Sequence, residues 1–256
     1  MTPTAAGHHS LAYKNEEFLE SDDGRPLRIL AEYLEPLASF RRETVQDTVV
    51  FFGSARLSSD GPLGRYYDEA RELARLVTKW SKGMSKEADR YVVCTGGGGG
   101  IMEAANRGAT EAGGRTIGLN IGLPREQVPN RYVTPELSFE FRYFFMRKLW
   151  FAHLARALVV FPGGFGTLDE MSEMLTLAQT RKLDRPIKIV LYGSSYWQEI
   201  INFEALVRYG MISPEDVDLF EYADEPAAAL NILQAGLADE VGPRAPDFAG
   251  SRCGPR

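Results

Sequence analysis

Cysteine is scarce in this chain of 256 residues, which contains only Cys94 and Cys253. The two lie far apart and Cys253 stands in a polar tail, so we expect no disulfide framework and a reducing compartment. Basic residues are also in the minority, because 29 lysines and arginines face 35 acids and give a net charge of −6. The chain therefore has no basic footprint for a nucleic acid or a membrane surface.

Long apolar runs are absent as well. No run could cross a bilayer, and residues 1–20 contain no apolar core of the kind a signal peptide needs. We therefore expect a cytoplasmic protein without a membrane partner. Histidine is rare too, and the adjacent His8 and His9 could either bind a metal ion or form a disordered pair. Because they have no further ligands nearby in sequence, we expect neither a metal site nor a cofactor.

What the chain does contain is an alternation of apolar and amphipathic segments. Continuous apolar runs predict buried strands at 47–56, 90–95, 115–124, 156–164 and 186–193. Helical spacing occurs at 25–42, 64–81, 139–155, 166–183, 195–210 and 225–239, and a further helix is predicted after the glycines at 96–100. Strands without polar alternation, separated by helices, are typical of an α/β fold with a parallel sheet covered on both faces.

The pattern is continuous enough to predict a single domain. No linker divides it between residues 25 and 240. Residues 1–24 are polar and lack a sustained period, which predicts a flexible N-terminal arm, and residues 241–256 have the composition of a disordered tail. Ligands of such sheets bind beyond the carboxyl ends of the strands. A site is therefore expected in the turns that follow the predicted strands.

Small residues follow three of these strands. They form the turns Gly53 to Arg56, Gly96 to Gly100 and Gly163 to Thr167. Glycine lets backbone N–H groups come close to a ligand, and a helix N-terminus beyond the turn favours an anion. Either glycine turn alone could be a tight strand-to-helix connection without a ligand. Two of them, with a third small-residue turn, indicate a site for one phosphorylated ligand.

The spacing of the glycines narrows the class of that ligand. A Walker loop carries Gly-Lys-Ser/Thr after its glycines and neither turn does, which disfavours nucleoside triphosphate hydrolysis. A dinucleotide fingerprint needs a glycine where Ile101 stands, and an acid after the next strand, where Leu119 and Asn120 stand. A nucleoside monophosphate or a sugar phosphate remains.

Residues 139–155 are apolar nearly all round, which places the predicted helix in the core or at a contact between subunits. Arg142, Arg147 and Lys148 lie on it, and such residues are rarely buried unless paired. We expect the side chain of Arg142 to extend into solvent, whereas those of Arg147 and Lys148 could either reach solvent or bind an anion. His153 fits a hydrogen-bonded core residue better than a catalyst.

The segment from Thr167 to Glu170 fits a capping box, with Thr167 as N-cap and Glu170 reaching back to it. On spacing alone Glu170 is therefore a cap, and the neighbouring Asp169 suits the helix dipole. A carboxylate beside a bound phosphate nevertheless weakens binding unless it has a role of its own. A catalytic function for Glu170 thus stays open.

Three of these segments together resemble one known family. PGGFGTLDE, at 162–170, is similar to the PGGxGTxxE signature of the LOG proteins, the cytokinin riboside 5′-monophosphate phosphoribohydrolases. TGGGGGIMEAANRGA resembles their first glycine loop, FFMRKLWF resembles the segment with their active-site arginine, and the likeness runs from about Val49 to Leu191. TPELSFEFRYFFMRKLWF resembles the larger bacterial branch. The resemblance implies a Rossmann-like domain that forms a homodimer or a higher homo-oligomer.

The resemblance also implies a reaction, the hydrolysis of the N-glycosidic bond of an adenine-type nucleoside 5′-monophosphate to the free base and ribose 5-phosphate. Arg147 and Glu170 would be the catalytic residues. Glu126 matches less directly than the others, because LPREQVPNRYVTPE departs from the plant pattern. The substrate-binding residues implied by motif are Ser54, Arg56, Gly97, Gly98, Gly99, Gly100, Glu126, Lys148, Gly163, Gly164, Phe165, Gly166, Thr167 and Thr176.

The implied chemistry suits these residues. Cleavage of an N-glycoside passes through a sugar with oxocarbenium character, by analogy with O-glycosides, and a carboxylate can stabilise that cation or activate water. Such proteins have also been labelled lysine decarboxylases, but pyridoxal chemistry needs a Schiff-base lysine, and Lys148 beside Arg147 suits an anion instead. Two alternatives stay open: a non-catalytic carrier of a phosphorylated ligand, such as a molybdenum-cofactor carrier, and a nucleosidase for AMP or other nucleotides.

Overall fold

The computed structural model describes residues 11–84, 89–123, 128–183 and 185–237. Its strands form one sheet in which every neighbouring pair is parallel. They are β1 (Thr48–Phe52), β2 (Val92–Thr95), β3 (Thr116–Ile121), β4 (Ser138–Phe141), β5 (Ala155–Val160), β6 (Lys188–Tyr192) and β7 (Phe220–Ala223). The order across the sheet is β4-β3-β2-β1-β5-β6-β7. The predicted parallel sheet in a single α/β domain is confirmed.

Helices cover both faces of this sheet, as predicted. In the described residues they are α1 (Glu16–Glu20), α2 (Arg25–Arg42), α3 (Gly64–Lys82), α4 (Ile101–Glu111), α5 (Phe144–Leu154), α6 (Phe165–Gln179), α7 (Ser194–Ile200), α8 (Phe203–Arg208) and α9 (Pro226–Leu237). Helices α3, α4 and α9 share one buried cluster with the sheet, while α2, α5, α6 and α7 share another. The sheet thus separates two hydrophobic cores.

The central strands are apolar throughout because both of their faces are covered. In β1, Val49 and Phe51 belong to one core, and Val50 and Phe52 belong to the other. Each buried side chain of this size contributes about 1.5–3 kcal/mol to stability. A strand of this kind therefore reads as a continuous apolar run.

The two edge strands depart from the sequence prediction. The helix predicted from residue 139 begins instead at Phe144, because Ser138–Phe141 pairs with β3 as strand β4. Burial alternates along β4, where Phe139 and Phe141 are buried and Glu140 is exposed. At the opposite edge, β7 pairs with β6, and no strand was expected there. Edge strands are short and partly exposed, so their apolar signal is weak.

The prediction of one continuous helix over 195–210 is also wrong, since the structure has two helices there, α7 and α8. Ile201 adopts an extended backbone at the end of α7. The side chain of Asn202 then accepts the N–H of Ala205 at 2.8 Å and caps α8. An asparagine that satisfies a helix start in this way favours a break over a continuous helix.

Part of the predicted N-terminal arm, residues 11–24, is described and contains a 3₁₀ helix (Ala12–Lys14) as well as α1. Arg28 donates to the carbonyl groups of Leu19 and Ser21, and Arg142 pairs with Glu20 at 2.8 Å. The flexibility of the arm stays a prediction, and the predicted tail, 241–256, lies outside the described residues. None of the helices described has both the length and the apolarity needed to span a membrane.

Candidate active site

The order of the strands places a crevice between β1 and β5. From β1 the chain moves outward through β2, β3 and β4, and it then returns to the other side of β1 with β5. Ligands of parallel sheets bind at such a reversal, beyond the carboxyl ends. The backbone of Ser54 joins the turns there, because its N–H donates to the carbonyl of Pro162 at 3.0 Å and its carbonyl accepts the N–H of Ile101 at 3.1 Å. The three small-residue turns are therefore neighbours.

The first glycine turn has a backbone that other residues would not adopt easily. Gly97 and Gly100 have φ of +71° and +63°. A Cβ at Gly97 would also collide with the side chain of Asn120, and one at Gly100 would collide with the backbone of Ser54. Glycine is therefore required at both positions by conformation and by space.

The second glycine turn is open on one side. Gly163 packs against the side chain of Thr167, whereas a side chain at Gly164 or Gly166 would meet open space. Phe165 stands between these two glycines and is 92% exposed. Bare backbone therefore borders open space at this turn.

Both turns present backbone donors at a helix start. In the described part of the chain, no acceptor takes the N–H groups of Gly98, Gly99 or Gly100, which precede α4. The first bond within α6 runs from the N–H of Leu168 to the carbonyl of Gly164, which leaves the N–H groups of residues 165–167 without a helical acceptor. Such donors, together with the helix dipole, favour an anion.

Arg147 reaches from α5 to this edge of the sheet. Its Nε donates to the carbonyl of Leu119 at 2.7 Å, and its guanidinium lies 4.9 Å from the ring centre of Phe151. A Cβ at Gly96 would collide with the guanidinium. Arg147 is thus buried against the first glycine turn rather than exposed to solvent, and its position is fixed from several sides.

Glu170, on α6, is the carboxylate partner of Arg147. Arg147 Nη1 donates to Glu170 Oε1 at 2.8 Å, and the two side chains are 8% and 14% exposed. Burial raises the pKa of Glu170, while the charge of Arg147 acts in the opposite direction without cancelling the effect. A buried carboxyl group with a raised pKa in a crevice suits proton transfer or stabilisation of a cation.

The capping box predicted for α6 is wrong. The helix begins at Phe165, its N-cap is Gly164, and no side chain caps it. Thr167 therefore lies within the first turn, where it is buried, and Glu170 lies in the second turn and binds Arg147. The Pro-Gly-Gly turn redirects the chain before Thr167, so the helix starts earlier than the capping pattern indicates.

Lys148 is engaged by acids of α6. Its Nζ lies 2.6 Å from Asp169 and 3.3 Å from Glu173. Burial lowers the pKa of Lys148, but the two carboxylates outweigh that effect and raise it. The ammonium group is therefore charged, and it ties α5 to α6.

Three residues implied by motif are not placed beside the glycine turns by the described contacts. The side chain of Arg56 is exposed. Thr176 is exposed too; its hydroxyl donates to the carbonyl of Ser172 at 2.8 Å, and it stands about 13 Å along α6 from Thr167. Glu126 lies outside the described residues.

Three polar residues next to the turns were not predicted from the sequence. Asn130 donates through Nδ2 to the carbonyl groups of both Gly97 and Gly98. Tyr196 donates to the carbonyl of Gly163 at 2.7 Å. Asn120, which lies against Gly97, follows an apolar run and could have been found at the end of its strand. Asn130 and Tyr196 belong to no local pattern.

Within the described ranges, no group of three or more His, Cys, Asp or Glu side chains could hold a metal ion. Burial raises the pKa of Cys94, at the carboxyl half of β2, although the charge of Arg147 works against it. Its thiol is therefore neutral and unsuited to nucleophilic attack.

Comparison with known sequences identifies the family to which this chain is similar. The family model described as "Possible lysine decarboxylase" matches residues 102–233. The chain is 29% identical to the cytokinin riboside 5′-monophosphate phosphoribohydrolase LOG3 of Arabidopsis thaliana, over 69% of this chain and 76% of that protein. It is 28% identical to the probable cytokinin riboside 5′-monophosphate phosphoribohydrolase LOGL6 of Oryza sativa subsp. japonica, over 70% of this chain and 68% of the relative.

Solved structures share the fold. The Moco carrier protein from Chlamydomonas reinhardtii has a TM-score of 0.51 and 22% identity, and the match covers 76% of this chain and 99% of that one. The molybdenum cofactor binding protein from Rippkaea orientalis has a TM-score of 0.51 and 20% identity, with 75% and 96% covered. These likenesses show the fold alone. Since the family model spans more than half of the chain, the protein belongs to the LOG family, whose model carries the description "Possible lysine decarboxylase".

Proposed function

We propose that this protein is a nucleoside 5′-monophosphate phosphoribohydrolase, which hydrolyses the N-glycosidic bond of an adenine-type nucleotide to the free base and ribose 5-phosphate. The observation that carries the proposal is the buried ion pair of Arg147 and Glu170, 2.8 Å apart, beside two bare glycine turns. The turns offer donors for a phosphate, and the pair offers a carboxylate for the sugar. The names of the relatives point to the same reaction.

In this proposal the phosphate binds the backbone N–H groups of the two turns, from Gly98 to Gly100 and from Gly164 to Thr167. The ribose then extends towards Glu170, whose carboxylate stabilises the developing oxocarbenium ion or takes a proton from the attacking water. Arg147 holds that carboxylate in place and favours its ionised form. Preorganised charges of this kind act strongly in a site that excludes water.

Several further residues remain proposed substrate contacts. Ser54 joins the turns through its backbone and is adjacent to the phosphate donors. Lys148 could exchange a carboxylate of α6 for the substrate's phosphate. Arg56, Glu126 and Thr176 are retained on the family resemblance.

The state of Lys148 argues against decarboxylation through pyridoxal. A Schiff base forms on a neutral amine, and Asp169 and Glu173 keep this amine charged by raising its pKa. The motif offers no other lysine. The charged state of Lys148 therefore disfavours the reaction that the family description names.

A carrier of a phosphorylated ligand is the alternative, and the fold likeness to molybdenum-cofactor carriers is the observation in its favour. Glycine turns would serve a carrier as well as an enzyme. A carrier does not need a buried carboxylate beside its phosphate, because that charge weakens anion binding. The Arg147–Glu170 pair favours the enzyme.

We further propose that the protein works in the cytoplasm as a homodimer or higher homo-oligomer. Helix α5, which holds Arg147, exposes Phe144, Phe145 and Leu149, and α2 exposes a stripe that includes Leu30 and Leu34. Exposed aromatic and aliphatic side chains of this density are typical of subunit contacts. Light scattering at micromolar concentration tests this, and a monomer would contradict it.

The experiment that tests the activity is a panel of nucleotides. The protein is incubated with AMP, isopentenyladenosine monophosphate and other nucleoside 5′-monophosphates, and free base is separated and quantified. We expect base release from an adenine-type monophosphate, and the preferred base identifies the substrate. Tight binding without base release from any of them would favour the carrier and overturn the proposal.

A further inference from the structure

We propose that Asn130 and Tyr196 are positioning residues, which capture the carbonyl groups of the two glycine turns and thereby direct the adjacent N–H groups to the phosphate. The inference rests on the proposed function, because it concerns how the same site binds its anion. Neither side chain is placed in contact with the substrate.

Asn130 holds two consecutive carbonyl groups of the first turn. Its Nδ2 lies 2.9 Å from the carbonyl oxygen of Gly98 and 3.1 Å from that of Gly97, and shares its two hydrogens among these oxygens and Asn106 Oδ1. Its backbone N–H also donates to Gly97 at 2.8 Å. A trans peptide group is planar, so its C=O and N–H point in opposite directions. Fixing the carbonyls of Gly97 and Gly98 therefore points the N–H groups of Gly98 and Gly99 away from Asn130, and these are two of the donors without a described acceptor.

The amide of Asn130 is itself held by a buried polar network. Asn106, which is fully buried, accepts from Asn130 Nδ2 at 2.9 Å and from the hydroxyl of Thr95 at 2.7 Å. The hydroxyl of Thr95 in turn accepts the N–H of Gly97 at 2.9 Å. A run of five glycines has many conformations of similar energy. A network that holds the run in one of them reduces the conformational entropy that is lost when the ligand binds.

Tyr196 acts on the second turn in the same way. Its hydroxyl donates to the carbonyl of Gly163 at 2.7 Å, which points the N–H of Gly164 away from α7. The neighbouring Trp197 anchors that helix, because its Nε1 donates to the carbonyls of Val160 and Tyr192. Each glycine turn thus has one side chain, from a distant part of the sequence, that orients its peptide groups.

The test uses Asn130→Asp and Tyr196→Phe in the full chain. Asn130→Asp replaces the donor with an oxygen that repels the two carbonyls, and Tyr196→Phe removes only the hydroxyl. The readouts are the Kd for ribose 5-phosphate by calorimetry, and kcat and KM for AMP and for adenosine. The control is Asn202→Asp, which makes the same charge change at the exposed N-cap of α8, where aspartate caps equally well.

We expect Asn130→Asp to raise the Kd for ribose 5-phosphate and the KM for AMP roughly 10- to 100-fold, because displaced donors bind poorly. Tyr196→Phe should raise both about fivefold, the value of one neutral hydrogen bond. Turnover of adenosine, which has no phosphate, should stay the same, as should all constants of Asn202→Asp. Equal losses with AMP and adenosine would indicate general damage and overturn the positioning role.

The remaining outcomes separate this inference from the proposed function. If the unaltered protein binds ribose 5-phosphate and both variants keep its affinity, the positioning role is wrong and the proposed function stands. If the unaltered protein neither binds ribose 5-phosphate nor cleaves AMP, the proposed function fails and the positioning role fails with it. Should Asn130→Asp not fold, Tyr196→Phe decides, since loss of one hydroxyl leaves the ring packing intact.

Discussion

Two buried carboxylates are paired with arginines at opposite ends of the same sheet. At the carboxyl end, Glu170 binds Arg147 at 2.8 Å. At the amino end, Asp47 lies just before β1 and binds Arg90 at 2.9 Å and Arg185 at 2.8 Å, with its own side chain only 3% exposed. The Asp47 carboxylate is the more buried of the two, and it has two arginine partners at a similar distance.

The surroundings of the two carboxylates differ. The Asp47 cluster joins the starts of strands, and the nearby Arg156 is so enclosed that burial, followed by the charge of Arg185, lowers its pKa to about 10. Glu170 instead lies near glycines at which a side chain would meet open space. A buried ion pair thus does not mark a site by itself. Accessible backbone donors beside the pair do.

The largest effect is expected for Glu170→Gln. Glutamine keeps the size of the side chain but cannot stabilise an oxocarbenium ion or accept a proton from water. We expect kcat for base release from AMP to fall roughly 10²- to 10⁴-fold. The affinity for ribose 5-phosphate serves as a control and should change little. Because the change also breaks the pair with Arg147 and lowers stability, kcat is expressed per folded molecule. Near-normal turnover would remove Glu170 from the chemistry.

The second prediction concerns Asp47→Asn, the matching substitution at the amino end of the sheet. It removes the Asp47 carboxylate from Arg90 and Arg185, and breaking a buried pair in this way costs about 3 kcal/mol. Urea unfolding should show that loss, while kcat/KM per folded molecule stays near that of the unaltered protein. A folded Asp47→Asn protein without activity would show that the two ends are not independent.

A third prediction tests whether the glycine turns bind the phosphate, by comparing a substrate that has this group with one that lacks it. Adenosine lacks the phosphate that the backbone donors bind, and two hydrogen bonds to a charged group are worth about 3 kcal/mol. We expect kcat/KM for adenosine to be roughly 100-fold lower than for AMP, since remote binding energy is lost. Comparable values for the two substrates would rule out the turns as the phosphate site.

The smallest effect concerns pH. Glu170 acts in its ionised form, so activity is lost as the pH falls through its pKa, which burial raises. The charge of Asp169 raises that pKa further, so Asp169→Asn should move the acid limb of the pH–kcat profile to lower pH. Asp218→Asn, an exposed change of the same kind, is the control. A shift in the opposite direction would mean that another group controls this limb.

Whether a strand could be predicted from the sequence depends on its place in the sheet, at the centre or at an edge. Strands β1 and β5 are covered on both faces, so every residue in them is buried and the run is evident. In β4 the exposed Glu140 alternates with buried phenylalanines, and the neighbouring helix α5 is equally aromatic. Three or four residues with one exposed face resemble the start of that helix, and only pairing with β3 identifies them as a strand.

Within the site, local patterns could be predicted and distant contacts could not. The glycine turns and the placement of Arg147 on an apolar helix are visible in short segments. The pairing of Arg147 with Glu170 depends on how α5 and α6 pack, and the capping pattern at Thr167 suggested another partner. Asn130 reaches Gly97 from 33 residues away and Tyr196 reaches Gly163 from the same separation, so no motif could reveal either contact.

The most direct test of the central claim is the product balance of AMP turnover. AMP is incubated with the unaltered protein, and adenine, ribose 5-phosphate, adenosine and inorganic phosphate are all quantified in the same sample. We expect adenine and ribose 5-phosphate in equal amounts, with no adenosine or inorganic phosphate formed. Release of inorganic phosphate with adenosine, or recovery of AMP and of every other adenine-type monophosphate of the panel intact, would contradict the claim.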